Sequence, residues 1–110
     1  MHNEMKKAAL THSRKHLVET MQMLGFGRIE GLVIRKGEPS FDPHPRVVRE
    51  IRFGAENGPR RELSLENFVL KKEVLDLLKN LRGLDDGTAV SIEVKHGLPF
   101  KMEVEHSVKL

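Results

Sequence analysis

Apolar and polar residues alternate most cleanly near the C-terminus of this chain. Val90, Ile92 and Val94 point one way, and Ser91, Glu93 and Lys95 the other. Phe100, Met102 and Val104 repeat the pattern against Lys101, Glu103 and Glu105. Two half-buried strands joined at His96-Gly97-Leu98-Pro99 predict a β-hairpin. A loop at Gly97-Leu98 would put Val94 opposite Lys101 and place one of them on the wrong face. A loop at His96-Gly97-Leu98 pairs Val94 with Phe100, Ile92 with Met102 and Glu93 with Lys101, an attractive charge pair. A loop at Gly97-Leu98-Pro99 would set Lys95 against Lys101 and Glu93 against Glu103, so the second register is expected.

A helical period appears at the other end. Leu10, Leu17, Val18, Met21 and Leu24 fall on one stripe of a 3.6-residue repeat. Thr11 or Ser13 can cap this helix, or Asn3 if it is longer, and Gly25 is suited to end it. Residues 1–7 are expected to fray. A second helical stripe runs through Leu70, Val74, Leu77, Leu78 and Leu81, with Lys71, Lys72, Glu73, Asp76, Lys79 and Asn80 facing water. Ser64 is its expected N-cap, Leu63 packing on Phe68 as a hydrophobic staple, and Gly83 its end.

Between the helices lie strand signals. Arg28 to Lys36 carries apolar groups on both faces, which predicts a central strand. Lys36-Gly37-Glu38 reads as a tight turn into a short return strand, Pro39-Ser40-Phe41. Asp42-Pro43-His44-Pro45 cannot sit inside a ladder, because two of its residues lack an amide hydrogen. Arg46 to Phe53 is the next strand, with Val47, Ile51 and Phe53 on one face and Val48 on the other. Gly54 to Arg61 is a loop by composition. No internal repeat or low-complexity tract is evident.

The expected architecture is a single α+β domain over residues 1–110, in the order α-β-β-β-α-β-β. An antiparallel or mixed sheet of four to five strands with both helices on one face buries every stripe. The apolar runs are short against the roughly 20 residues a membrane span needs, so no membrane partner is expected. Cysteine is absent, which removes disulfides, thiol nucleophiles and cysteine-based zinc sites. Trp and Tyr are absent too, so five Phe are the only aromatic residues. The polar N-terminus has no signal-peptide character, and a cytoplasmic location is the expectation. Net charge is +3, unevenly spread: residues 1–61 hold 12 basic and 7 acidic side chains, residues 62–110 hold 7 and 9.

That imbalance directs attention to Arg46, Arg49, Arg52, Arg60 and Arg61. Arg46 and Arg52 share a strand face, while Arg49 lies among apolar neighbours on the other. If the Gly54–Arg61 loop folds back, Arg60 and Arg61 join a positive patch with Arg35 and Lys36 nearby. Convergent cations hold phosphates, so these seven are candidate nucleic-acid-binding residues. The competing reading pairs the arginines with Glu30, Glu38, Glu50 and Glu62 across the sheet.

Other constellations are weaker. His12 and His16 stand four apart on a helix, but no third metal ligand accompanies them and no metal site is expected. Gly25, Gly27 and Gly31 resemble a phosphate loop only superficially, since such loops run from strand into helix and these run from helix into strand. Asp42, His44, Glu93 and His96 supply acid–base groups, on loops and strands that would have to converge for catalysis. Met102 reads as core and His106 as a boundary residue.

Four stretches carry a resemblance: Leu24-Gly25-Phe26-Gly27-Arg28-Ile29-Glu30-Gly31-Leu32, Pro45-Arg46-Val47-Val48-Arg49-Glu50-Ile51, Gly54-Ala55-Glu56-Asn57-Gly58-Pro59-Arg60 and Val94-Lys95-His96-Gly97-Leu98-Pro99-Phe100. In these the chain resembles a group of small uncharacterised bacterial proteins, over most of its length from about Leu17. The resemblance implies a free-standing bacterial protein rather than a fragment of an enzyme, and assigns no role to any residue. The leading expectation is a non-enzymatic binding or accessory domain without cofactor, with nucleic acid or another polyanion as partner. The alternative is a homodimer through a sheet edge or face, and the third a small enzyme using the loop histidines.

Overall fold

The computed structural model describes residues 6–57 and 70–106. It has the expected α+β architecture, two helices and a five-stranded antiparallel sheet. A single 3-10 turn at Lys7–Ala9 precedes α1, His12–Leu24. The Thr11 hydroxyl accepts the Arg14 amide hydrogen at 3.3 Å, and Gly25 closes the helix at φ 73°. Leu17, Val18, Met21 and Leu24 are the buried stripe, as the period requires.

Strand β1 spans Gly27–Arg35 and occupies the middle of the sheet. Its register against β4, Ala89–Lys95, shifts between Ile29 and Leu32. This bulge lets Ile29 and Leu32, which have opposite parity, both reach the core with Ile34. The apolar groups on both faces of β1 in the sequence therefore reflect a change of phase as well as a central position.

The chain turns at Lys36 and Gly37, both at positive φ, and returns along β1 as β2, Glu38–Ser40. It leaves the ladder over residues 41–45 and rejoins the same edge of β1 as β3, Arg46–Arg49. β2 and β3 are thus one return strand, interrupted where the prolines lack amide donors.

Helix α2 runs from Lys72 to Arg82. The expected Ser64 cap and Leu63–Phe68 contact lie outside the described residues. Lys71 is extended (ψ 157°) and makes no side-chain cap, so the helix begins later than the hydrophobic stripe suggests. Leu70 is buried all the same. It lies four positions before Val74, so periodicity alone cannot separate a buried helical residue from a buried extended one there.

Strands β4 and β5 (Leu98–Val104) form the C-terminal hairpin. Ile92 faces Met102 and Glu93 faces Lys101, as expected. The end of the hairpin differs. Lys95 pairs with Leu98 across a two-residue turn, Val94 pairs with Pro99, and a bulge follows Glu93. His96 and Gly97 both have positive φ, the conformation that matches strand twist in a two-residue turn. The bulge turns Phe100 outward, where it is 60% exposed beneath the Lys95 ammonium at 3.8 Å. The Val94–Phe100 pair expected from alternation does not form.

The strand order is β2/β3–β1–β4–β5. One face of the sheet carries Ile29, Leu32, Ile34, Val90, Ile92 and Val94 into one core with the stripes of both helices. The other carries Arg28, Glu30, Glu93 and Lys101, linked by the ion pairs Arg28–Glu30 (3.3 Å) and Lys101–Glu93 (3.5 Å).

The two halves of the chain repeat each other at a constant spacing of sixty residues, contrary to the expectation of no repeat. Leu10, Leu17, Val18, Met21 and Leu24 match Leu70, Leu77, Leu78, Leu81 and Leu84, and α1 and α2 begin at matching positions, His12 and Lys72. Leu32, Ile34, Gly37 and Pro39 match Ile92, Val94, Gly97 and Pro99, so both hairpins turn at the same place. Each half is an α-β-β unit, and β1 and β4 meet antiparallel at the centre. The sheet is therefore built about a pseudo-two-fold axis, with β2/β3 and β5 as its two edges.

Candidate functional site

The sheet register distributes the arginine group. Arg46 lies opposite Glu30 on the face turned away from α1 and α2, its Nε 3.1 Å from Glu30 Oε1. Arg49 lies opposite Gly27 and donates from Nη2 to the Asn57 carbonyl at 3.4 Å. Arg52 lies over the Phe26 ring, with its guanidinium carbon 3.5 Å from the centroid, and donates from Nη2 to the Glu56 carbonyl at 2.9 Å. Asn57 completes this loop. Its Oδ1 accepts from the Arg52 amide, and its Nδ2 donates to the carbonyls of Arg52 and Ala55, each at 2.9 Å.

Arg35 and Lys36 do not join these residues. They sit at the other end of β1, eight residues beyond the Gly27–Arg49 pair, about 25 Å at the strand rise. Lys36 donates its amide hydrogen to Asp86. Arg60 and Arg61 lie outside the described residues. Of the expected acidic partners, Glu30 pairs with Arg46, whereas Glu38 forms an ion pair with Arg14 at 2.9 Å and accepts from the hydroxyls of Thr11 and Ser13.

The histidines disperse. His16 packs edge-on against Phe41 with ring centroids 4.2 Å apart, and His12 is exposed on α1. No group of three metal-ligating side chains occurs among the described residues. His96 packs against Phe26 at the β4–β5 turn, while His44 lies between β2 and β3, across β1. Asp42 shares the His44 excursion and Glu93 faces Lys101, so no acid–base constellation forms from the four residues. His106 is exposed past the end of β5, and Met102 packs against the core. The glycines serve the backbone: Gly25 ends α1, Gly27 admits β3, and Gly31 occupies the β1 bulge.

One surface gathers features that the sequence left apart. Six large apolar side chains are exposed among the described residues, and four of them, Met23, Val47, Ile51 and Phe53, belong to α1 and to β3 with its continuation. Met23 and Val47 line one apolar groove with Leu24, Thr20 and Arg49. Phe53 is 97% exposed. Among the described residues, β3 pairs only with β1, and no described strand lies along its other edge. The sequence placed Val47, Ile51 and Phe53 on one strand face and said little about whether a helix covers them. The one available signal was Arg49, a charge in the middle of that face.

No described helix is long and apolar enough to cross a membrane. No family model, curated protein or solved structure matches the chain.

Proposed function

We propose that this protein is a non-enzymatic binding domain that works by self-association through the β3 edge. The observation that carries the reading is the coincidence of an edge strand, its outer side paired by no described residue, with exposed apolar side chains: Met23 and Val47 in one groove, and Ile51 and Phe53 in the segment that follows β3. An open edge offers unpaired backbone donors and acceptors, and exposed apolar side chains near it gain by leaving water. A second copy supplies both complements at once and gives a closed, two-fold arrangement. The cytoplasm, where a soluble partner copy is at hand, is the compartment that suits this role.

Light scattering on the full chain at micromolar concentration should give twice 12.6 kDa. Ile51→Ser combined with Phe53→Ser should shift the mass toward the monomer. A wild-type monomer at those concentrations overturns the reading.

A polyanion partner, nucleic acid first, is the second reading, supported by the exposed ring of Phe53 on a segment that also carries Arg46, Arg49 and Arg52. An accessible ring on a basic segment suits a stacked base. Retention on an anionic column should then fall steeply with salt and drop after Phe53→Ser. Retention indifferent to both would remove this reading.

A further inference from the structure

The hydrogen-bond phase of β3 selects its own partner register. The Glu50 amide donates to the Phe26 carbonyl at 2.8 Å, one step past the Gly27–Arg49 pair. In an antiparallel ladder, bonded and non-bonded positions alternate. Arg46, Val48 and Glu50 therefore aim their backbone groups at β1, and Val47 and Arg49 aim theirs at the outer edge.

A second copy related by a two-fold axis normal to the sheet must match outward positions with outward positions. Three registers do this near the centre of β3. Val47 against Val47 sets Arg49 against Pro45, which has no amide hydrogen to donate. Arg49 against Arg49 opposes like charges there and again between Arg46 and Arg52. Val47 against Arg49 lets both residues exchange both bonds, twice across the axis. It also sets Val48 against Val48 on the axis and Arg46 against Glu50.

Resting on the self-association reading, we infer that the partner is a second copy of this chain paired β3 to β3, with Val48 on the two-fold axis. Charge complementarity favours this register over the other two. Arg46 already bonds Glu30 on one side, and the Glu50 of the second copy meets it on the other. The outer-face charge pattern then continues across the junction, and Ile51 comes opposite Pro45. On the helix-bearing face, the two Met23–Val47 grooves meet at the axis.

The chain has no cysteine, so a single introduced thiol reports unambiguously. Val48 occupies a non-bonded position, where facing Cα atoms are about 4.5 Å apart, within the range a disulfide spans. Val48→Cys should therefore oxidise to a covalent dimer on its own. Val47→Cys should not, yet should cross-link when mixed with Arg49→Cys. Glu50→Arg should weaken the dimer roughly tenfold, and adding Arg46→Glu should recover much of the loss. A dimeric wild type in which Val47→Cys, not Val48→Cys, links to itself overturns the register and leaves self-association standing. A monomeric wild type overturns both.

Discussion

Gly27 lies directly beneath the backbone of Val48, so closely that a methyl group on Gly27 would overlap the Val48 carbonyl oxygen. The close approach joins β3 to β1. A side chain there would separate the strands, and the positive φ of 148° adds backbone strain.

Gly27→Ala should accordingly cost about 3 kcal/mol or more, combining overpacking with a disfavoured backbone conformation. Gly31 also has positive φ, but nothing lies near the position a methyl group would take. Gly31→Ala should cost only about 1–2 kcal/mol. Urea unfolding of the two variants measures the difference, and equal midpoints would contradict the close Gly27–Val48 packing.

The loop after β3 depends on one amide. Asn57 makes three side-chain hydrogen bonds to the backbone of Arg52 and Ala55, and its own carbonyl accepts from Arg49. Asn57→Ala should cost about 1–3 kcal/mol, leaving the half-buried Arg52 amide without its acceptor. Hydrogen exchange at the Arg52 amide should accelerate while the amides of β4 keep their protection. Unchanged exchange at Arg52 would show that the loop holds without this side chain.

Much of this architecture was legible beforehand, and the exceptions have identifiable causes. Thr11 and Gly25 bracket α1 because cap chemistry is local, and the Val90–Val94 alternation survives because β4 is central and covered on one face. Phe100 escaped because a bulge breaks the alternation it belonged to. The separation of Arg35 and Lys36 from Arg49 is a property of pairing, which residue spacing does not contain. The sixty-residue repeat was hidden because its matches, such as Leu17 with Leu77 and Gly37 with Gly97, are scattered among positions that differ, and some keep only apolar character, as Met21 with Leu81 and Leu32 with Ile92 do.

That repeat makes its own prediction about stability. Met21 and Leu81 occupy matching positions on α1 and α2, and both are fully buried. Met21→Ala and Leu81→Ala should each cost about 2–5 kcal/mol by losing apolar burial and opening a cavity. Because they lie in one continuous core, either change should lower a single cooperative unfolding transition. Two separate transitions would mean that the halves fold independently.

Lys7 presents the opposite problem, a charged residue with no exposed surface. Its ammonium lies 3.4 Å from Glu19 Oε2 and 3.5 Å from Gln22 Oε1, both on α1, and Gln22 is itself buried. The side chain thus ties the opening 3-10 turn to the helix through a buried aliphatic stem and a paired head group. Removing the whole side chain loses both contributions, whereas an unbranched apolar replacement keeps the stem and removes the charge. Burying an ion pair gains little over well-packed apolar groups, and Glu19 stays partly exposed to water, with a third of its side-chain surface accessible. Lys7→Met should therefore stay within about 1 kcal/mol of wild type, and Lys7→Ala should lose about 2–4 kcal/mol. Thermal unfolding compares them directly. If Lys7→Met falls as far as Lys7→Ala, the head group rather than the stem secures the turn.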